Sequence, residues 1–461
     1  MVNKKAIHNA TQKAIQNGET MQSIREYLRR GPSTSREIQV ALGLSQSSTA
    51  RLLRKMGNEI IPIKDGRTVK YAATANAFGS SDKIPLCTID DAGAPNLIGY
   101  IRPLNCGQFF IDLQEDAAYS PLLLGESGNG LYEDLPYFLL DLKPQGFLGR
   151  QIARTLSLQS PDFPTNPKNW NTNHIGRYLI SNGEDLPGNF LFGEQLMLRL
   201  RREPTTVSRQ DYPELADRAM KGEPPGSSAG GEQPKFTAFN GEASAHVIVK
   251  FTAKSRNEMT ERWRDILVTE FHAAKILAET GYPAAKTDLF EQGGRMFLEI
   301  QRFDRRDKFG RLSMISLDII DREFVGYGGS SWSGVMADLL DQGLVDTADI
   351  QRTKELEYFG NLIHNTDMHL GNLSLAMQGE QFKLLPAYDM CTMGFAPHGG
   401  DVLPLDFVPR PNGLDLGKEE ANRIEEMAFR FWENVSADHR ISQELKIYLS
   451  QGNPVSRVSS S

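Results

Sequence analysis

Apolar residues fall at helical spacing in Met21, Ile24 and Leu28, which predicts a helix from Met21 to Arg30 that Gly31-Pro32 ends. Ser33 or Thr34 can cap a second helix, Ser35 to Leu42. Gly43-Leu44 then turns the chain, and Ser45 stands where it can cap a third helix, Ser48 to Met56. Two short apolar runs, Ile60 to Ile63 and Thr68 to Ala72, flank Lys64-Asp65-Gly66-Arg67 and predict a hairpin around an Asp-Gly turn. Ala73 to Lys83, rich in Ala, Gly and Ser, reads as a linker. Strands follow at Ile84 to Ile89, Leu97 to Arg102 and Gln108 to Leu113. A helix-rich stretch begins at Leu135, and Asn189 to Arg201 reads as helical. Further on, the pattern predicts a strand from His246 to Phe251, an amphipathic helix from Arg264 to Glu279, and a strand from Met296 that runs into a hinge at Asp304. A helix from Lys354 to His364 precedes a strand from Leu373 to Met377, paired as a hairpin with Phe382 to Leu385. The last helices end near Leu449.

Charge divides the chain more sharply than its total suggests. The 461 residues carry 51 Lys and Arg against 58 Asp and Glu, a net −7. Residues 1–75 hold 13 Lys and Arg against 5 Asp and Glu, or +8, so residues 76–461 carry −15. A basic head on an acidic body points to a polyanion as the partner of the head. The three front helices and the hairpin resemble a winged helix-turn-helix domain over residues 1–76. That resemblance implies DNA as the partner, with the helix after Ser45 in the major groove. Ser45, Gln46, Ser47 and Arg51 would then lie near base edges, and Arg54, Lys64, Arg67 and Lys70 would meet phosphates. With 39% hydrophobic and 24% charged residues, the chain is ordinary globular material with room for two or three domains. No apolar run approaches the roughly 18 residues of a membrane span. The polar start is no signal peptide, so a cytoplasmic location without a membrane partner is expected. Cys87, Cys106 and Cys391 are too scattered for a disulfide framework or a cysteine zinc site.

The chemistry concentrates in His364-Asn365-Thr366-Asp367-Met368-His369-Leu370-Gly371-Asn372 and the later Tyr388-Asp389-Met390, which space an acid, an amide and a second acid between hydrophobic strands. Phosphoryl transfer needs such a set: a carboxylate at the acceptor hydroxyl, here Asp367, then an amide and a carboxylate, here Asn372 and Asp389, on Mg²⁺. Upstream, Pro224 to Lys235 is a Gly- and Ser-rich loop entering a strand, and the next strand carries Lys250. Glycines let backbone N–H groups approach phosphate oxygens, and Lys250 can reach the same anion. Glu270 on the following helix can pair with Lys250, and the hinge backbone beyond Met296 suits adenine, with Phe303 packing nearby. The Asp-x-His-x-x-Asn string also fits phosphotransferases that act on small molecules. Asp367, His369 and Asp389 also fit metal-dependent cleavage of DNA held by the head.

Taken together, Ser227-Ser228-Ala229-Gly230, Val249-Lys250, Gln301-Arg302-Phe303-Asp304-Arg305, Asn365 to His369 with Asn372, and Pro386-Ala387-Tyr388-Asp389 resemble the HipA-type toxin kinases in order and spacing. The likeness covers roughly residues 84–449 and is close to the longer, HipH-type members. It implies an α+β, two-lobed protein-kinase-like fold: an added N-terminal subdomain over 84–200, a nucleotide-binding lobe over 201–305 and a helical catalytic lobe over 306–450, before a disordered tail at 451–461. The implied activity is ATP- and Mg²⁺-dependent phosphorylation of serine or threonine in a protein of translation, such as an aminoacyl-tRNA synthetase, with growth arrest as the outcome. By the same resemblance Ser228, Ala229, Gly230, Gly231, Lys235, Lys250, Gln301, Phe303 and His369 serve the nucleotide. Asn372 and Asp389 serve the metal, and Ser227 is the serine that autophosphorylation modifies. Two departures stand out: one extra residue between Gly230 and Lys235, and Gly371 where a lysine often precedes the metal-binding Asn. In the usual arrangement a separate helix-turn-helix antitoxin binds DNA and restrains the kinase. Here a DNA-binding-like head lies on the same chain, so regulation in cis is expected, with or without a separate antitoxin.

Overall fold

The structure, a computed structural model, describes residues 4–194, 203–221, 233–398, 400–409 and 413–456. Helix α1 (Lys4–Leu28) starts well before the predicted Met21 and buries Ile24 and Leu28. After strand β1 (Ser33–Thr34), α2 (Ser35–Leu42) opens on a capping box. Thr34 Oγ1 accepts from the Glu37 amide at 3.2 Å, and the Glu37 carboxylate accepts from the Thr34 amide at 2.7 Å. Gly43 ends the helix at φ 63°, a left-handed cap that suits a residue without Cβ. Helix α3 (Gln46–Met56) starts at Ser45, whose hydroxyl accepts from the Ser48 amide at 3.2 Å. Strands β2 (Ile60–Asp65) and β3 (Thr68–Ala73) form the hairpin, and β1 joins it in the order β1-β3-β2. Ile24, Leu28, Ile38, Leu52, Leu53 and Met56 make the core of this head.

Ala73–Lys83, expected as a linker, is instead a fastened junction. Thr74 pairs with Leu104 as a β-bridge, Ala75 N–H donates to Pro103 O at 2.9 Å, and Asn105 N–H donates to Ala73 O at 2.8 Å. Phe78 is buried with its ring stacked on Phe109 at 5.7 Å. Buried Arg102 donates to Asp82 O at 2.7 Å, to the Asp82 carboxylate at 2.9 Å and to Asn58 O at 3.5 Å. Ile61, Ile63 and Ala72 of the hairpin share a small core with Leu104. The segment is held mainly by backbone pairing, which leaves little trace in composition.

The next sheet has the order β7-β6-β5-β4-β8, antiparallel throughout: β4 (Ile84–Ile89), β5 (Pro95–Pro103), β6 (Phe109–Leu113), β7 (Leu131–Tyr132) and β8 (Phe190–Phe192). Between β7 and β8 come helices α4 (Tyr137–Leu140), α5 (Gly146–Gln159) and α6 (Thr172–Asn182). The expectation of helix from Asn189 is corrected at its start. Phe190, Leu191 and Phe192 pair with β4 as an edge strand with all three side chains buried; residues 195–202 lie outside the described residues.

A second five-stranded sheet follows, in the order β12-β13-β11-β10-β9: β9 (Thr206–Val207), β10 (Lys235–Asn240), β11 (Ala245–Phe251), β12 (Thr287–Gln292) and β13 (Arg295–Gln301). Side chains alternate across β11, so Val247, Val249 and Phe251 pack with Tyr212 and Ala216 of α7 (Tyr212–Ala219) on one face. Lys250 points to the other face, toward α8 (Glu258–Glu279), which begins six residues before the predicted Arg264. The remaining body is helical, with α9 (Leu317–Phe324), α10 (Trp332–Asp341), α11 (Thr347–Leu362), α12 (Lys418–Ala437) and α13 (Gln443–Ser450). A small sheet, Ile315–Ser316 with Ser374–Gln378 and Gln381–Leu384, frames the motif loop. The expected tail is corrected in part: Val455 is buried in the main core and Asn453 Nδ2 donates to Phe429 O at 2.9 Å, while 457–461 lie outside the described residues. No helix among the described residues is long and apolar enough to cross a membrane.

Candidate active site

The facing surfaces of β11, α8 and the segment after the small sheet bring three charges together. Lys250 Nζ lies 2.7 and 2.8 Å from the two oxygens of Glu270 and 2.7 Å from Asp389 Oδ1. Only 8% of the Lys250 side chain and 4% of Glu270 is exposed, against 31% of Asp389. Asp389 adopts φ 55°, a left-handed backbone that Asp tolerates better than most residues. Burial acts to raise its carboxyl, but Lys250 and then Lys235 outweigh that and hold it down at about 2. Burial would lower the Lys250 ammonium, yet Asp389 and Glu270 together hold it well above the usual lysine range. Glu270 is pushed up, by burial first and by the charge of Asp389, against the pull of Lys250. One ammonium between two carboxylates leaves negative charge at the Asp389 end.

The motif loop is ordered by its own polar groups. Buried Asn365 accepts from the Asp367 amide at 3.2 Å. Asn372 Nδ2 donates to the Asp367 carbonyl at 2.8 Å, which commits the amide nitrogen. The Gly371 amide donates to His369 Nδ1 at 3.0 Å, so His369 caps the short turn Leu370–Asn372. Its Nε2 lies 3.9 Å from Asp367 Oδ1. The Trp332 indole N–H holds the His369 carbonyl at 2.9 Å, a contact between residues 37 apart that spacing does not reveal.

The structure brings Lys250, Glu270 and Asp389 into contact and sets Asp367, His369 and Asn372 on one turn. Lys235 opens β10 directly opposite Lys250 in the strand register. Gln301 ends β13, with its amide donating to Lys286 O at 2.8 Å, and half-buried Phe303 lies 5.7 Å from the Tyr388 ring. Ser227, Ser228, Ala229, Gly230 and Gly231 lie outside the described residues. Sequence reasoning missed the hinge anchor. Arg302 donates to both oxygens of Asp304 at 3.0 and 2.9 Å and to Asp185 at 2.7 Å. Arg305 donates to Asp304 at 2.7 Å, to Asp185 at 3.1 Å and to Leu186 O at 2.6 Å. Two adjacent arginines around an acid were visible in the sequence, but Asp185 is 117 residues away from Arg302.

In the head, Gln46, Ser47, Arg51 and Arg54 are exposed along α3, and Lys64 and Arg67 are exposed on the hairpin. The exposed Ser45 caps α3 by accepting from the Ser48 amide, and Lys70 Nζ on the hairpin lies 2.8 Å from Asp65.

The described residues thus form a mixed α/β body with a buried lysine–carboxylate cluster beside an Asp/Asn turn. A family model described as the HipA-like C-terminal domain matches residues 227–447, and one described as the YjjJ-like toxin, middle domain, matches residues 80–201. Toxin YjjJ of Escherichia coli (strain K12) is 33% identical over 445 residues, which cover 94% of this chain and 97% of the relative. The chain belongs to the HipA-like toxin family, in company with YjjJ. Among solved structures, HipA from the Shewanella oneidensis MR-1 toxin–antitoxin complex with HipB and operator DNA has a TM-score of 0.54 and 16% identity, covering 81% of this chain and 96% of that one; this is likeness of fold.

Proposed function

We propose that the chain is a HipA-like serine/threonine protein kinase that uses ATP and Mg²⁺, with a translation protein such as an aminoacyl-tRNA synthetase as its substrate class. The observation that carries this reading is Lys250 shared between Glu270 and Asp389 beside the Asp367–Asn372 turn. The donor set fits the metal. Mg²⁺ binds through one or two protein oxygens and completes its shell with phosphate and water. Asp389 supplies an ionised oxygen, and Asn372, its nitrogen already engaged, has Oδ1 left to offer. When bound, Mg²⁺ would neutralise phosphate charge. Asp367, about half exposed, would accept the proton of the acceptor hydroxyl as that oxygen bonds to the γ-phosphorus and the bond to the ADP oxygen breaks. Lys250, fixed by Glu270, would hold the phosphates; Lys235, Gln301, Phe303 and His369, with Ser228–Gly231, complete the proposed nucleotide site.

For the head we infer a winged helix-turn-helix that binds DNA through Ser45, Gln46, Ser47, Arg51, Arg54, Lys64, Arg67 and Lys70 and regulates the kinase in cis. In the Shewanella complex HipB and operator DNA accompany HipA; here the basic head would take the DNA contact itself. The test is incubation of the full chain with radiolabelled ATP, Mg²⁺ and lysate, beside a plasmid nicking assay. Label on protein is expected, and cut DNA without labelled protein would overturn the kinase reading in favour of a nuclease.

A further inference from the structure

Tyr388 precedes the metal-site Asp389 and has no role in the reading above, yet its side chain reaches Gly371, the residue before the other metal-site residue, Asn372. Its hydroxyl donates to the Gly371 carbonyl at 3.1 Å and lies 2.7 Å from Ser374 Oγ. A phenol has one proton, and with that proton on Gly371 O the serine must be the donor to the phenol oxygen. The chain therefore runs Ser374 O–H to Tyr388 O–H to Gly371 C=O, and that carbonyl belongs to the peptide that leads into Asn372.

The N–H of this same peptide, on Asn372, donates to the His369 carbonyl at 2.9 Å. That bond lies within the loop, as do those from the Gly371 amide to His369 Nδ1 and from Asn372 Nδ2 to Asp367 O, and Trp332 holds the His369 carbonyl from outside. The Tyr388 ring is in turn set against Phe303 at 5.7 Å, and Phe303 stands between Arg302 and Asp304, whose buried ion network fixes the hinge. We propose that Tyr388 is a positioning residue: its hydroxyl fixes the Gly371–Asn372 peptide so that Asn372 Oδ1 and Asp389 are held as one preformed pair of oxygen donors for Mg²⁺. The inference rests on the kinase reading of this site. Preorganised donors matter most for Mg²⁺, which demands near-ideal octahedral geometry.

The test is calorimetry on the full chain with a non-hydrolysable ATP analogue, once across a Mg²⁺ series and once in EDTA. Tyr388→Phe keeps the ring and removes the hydroxyl. Loss of one buried hydrogen bond corresponds to roughly a 3- to 10-fold rise in the Mg²⁺ needed for half-maximal analogue binding, while affinity in EDTA stays within about twofold. Ser374→Ala should shift the Mg²⁺ requirement in the same direction by less, and the double variant should be no worse than Tyr388→Phe alone. If Tyr388→Phe folds poorly, Ser374→Ala carries the test by itself. An unchanged Mg²⁺ requirement in these variants overturns the proposal, as does an equal loss of affinity in EDTA, which would assign the residue to ring packing. A wild-type chain that binds no Mg·nucleotide at all would sink the kinase reading first and this proposal with it.

Discussion

Removing the ammonium from the centre of the buried cluster should separate what Lys250 does for the fold from what it does for nucleotide. At an effective dielectric of about 20, charges about 2.7 Å apart attract by roughly 6 kcal/mol before solvation is counted. Burial of the ammonium and of Glu270 offsets most of that. Lys250→Met leaves Glu270, 4% exposed, facing Asp389 without the ammonium that bonds both, and with only the weaker pull of Lys235. Breaking a buried pair from one side costs about 3–5 kcal/mol, so Lys250→Met should lose stability of that order in urea unfolding. Replacing both buried partners, as in Lys250→Met with Glu270→Leu, removes the orphaned charge as well, and most of the lost stability should return. Binding of Mg·nucleotide should not return, because neither variant has a cation on β11 at this point. The assay is paired urea unfolding and calorimetry on wild type, both single variants and the double. If Lys250→Met unfolds within about 1 kcal/mol of wild type, or if the double variant binds Mg·nucleotide normally, the cluster is not the nucleotide anchor described.

Other outcomes follow from separate parts of the molecule. Full-length protein should bind duplex DNA with strong salt dependence; Arg51→Ala should relax sequence preference, whereas Lys64→Ala should weaken binding evenly and reduce the salt slope by about 1. Absence of binding at low salt would make the head a protein-interaction module. Burial raises the Asp265 carboxyl from 3.8 to about 6, against the two hydrogen bonds from Ser442. The folded chain thus holds that proton more tightly than the unfolded chain does; the associated stability is fully present below pH 3.8 and is lost as pH rises through 6. The change is of order 3 kcal/mol. Asp265→Asn should flatten that part of the stability–pH curve, and an unaltered curve would refute the assignment. Mass spectrometry after incubation with ATP should find phosphate on Ser227, or on its neighbour Ser228, in wild type and not in Asp367→Asn; unchanged autophosphorylation in Ser227→Ala and Ser228→Ala would place the modification elsewhere.

Local signals were legible where a few neighbouring residues decide the structure. Thr34, one of the two cap candidates, starts α2, Gly43 ends it, and Asp65-Gly66 turns the hairpin, because caps and turns are chosen within four residues. The pairing of Lys250 with Glu270 was readable only through the phosphotransferase motifs around it, since an acid on an amphipathic helix is by itself more often solvated. What failed depended on distant partners. Phe190-Leu191-Phe192 fits a buried helix turn or a strand equally well, and only pairing with β4 decides it. Ala73–Lys83 has the composition of a linker, but its backbone is held by Leu104, Pro103 and Asn105. The hinge ions, the Trp332 contact and the Tyr388 hydroxyl join residues that no spacing rule connects.

The central claim is that Asp367 acts on the acceptor hydroxyl and not on nucleotide binding. Single-turnover phosphoryl transfer by Asp367→Asn, measured at saturating Mg·ATP and normalised to bound nucleotide, tests it most directly. Nucleotide affinity should stay close to wild type while the transfer rate falls by about 10²-fold or more. Transfer at the wild-type rate by the folded variant would contradict it.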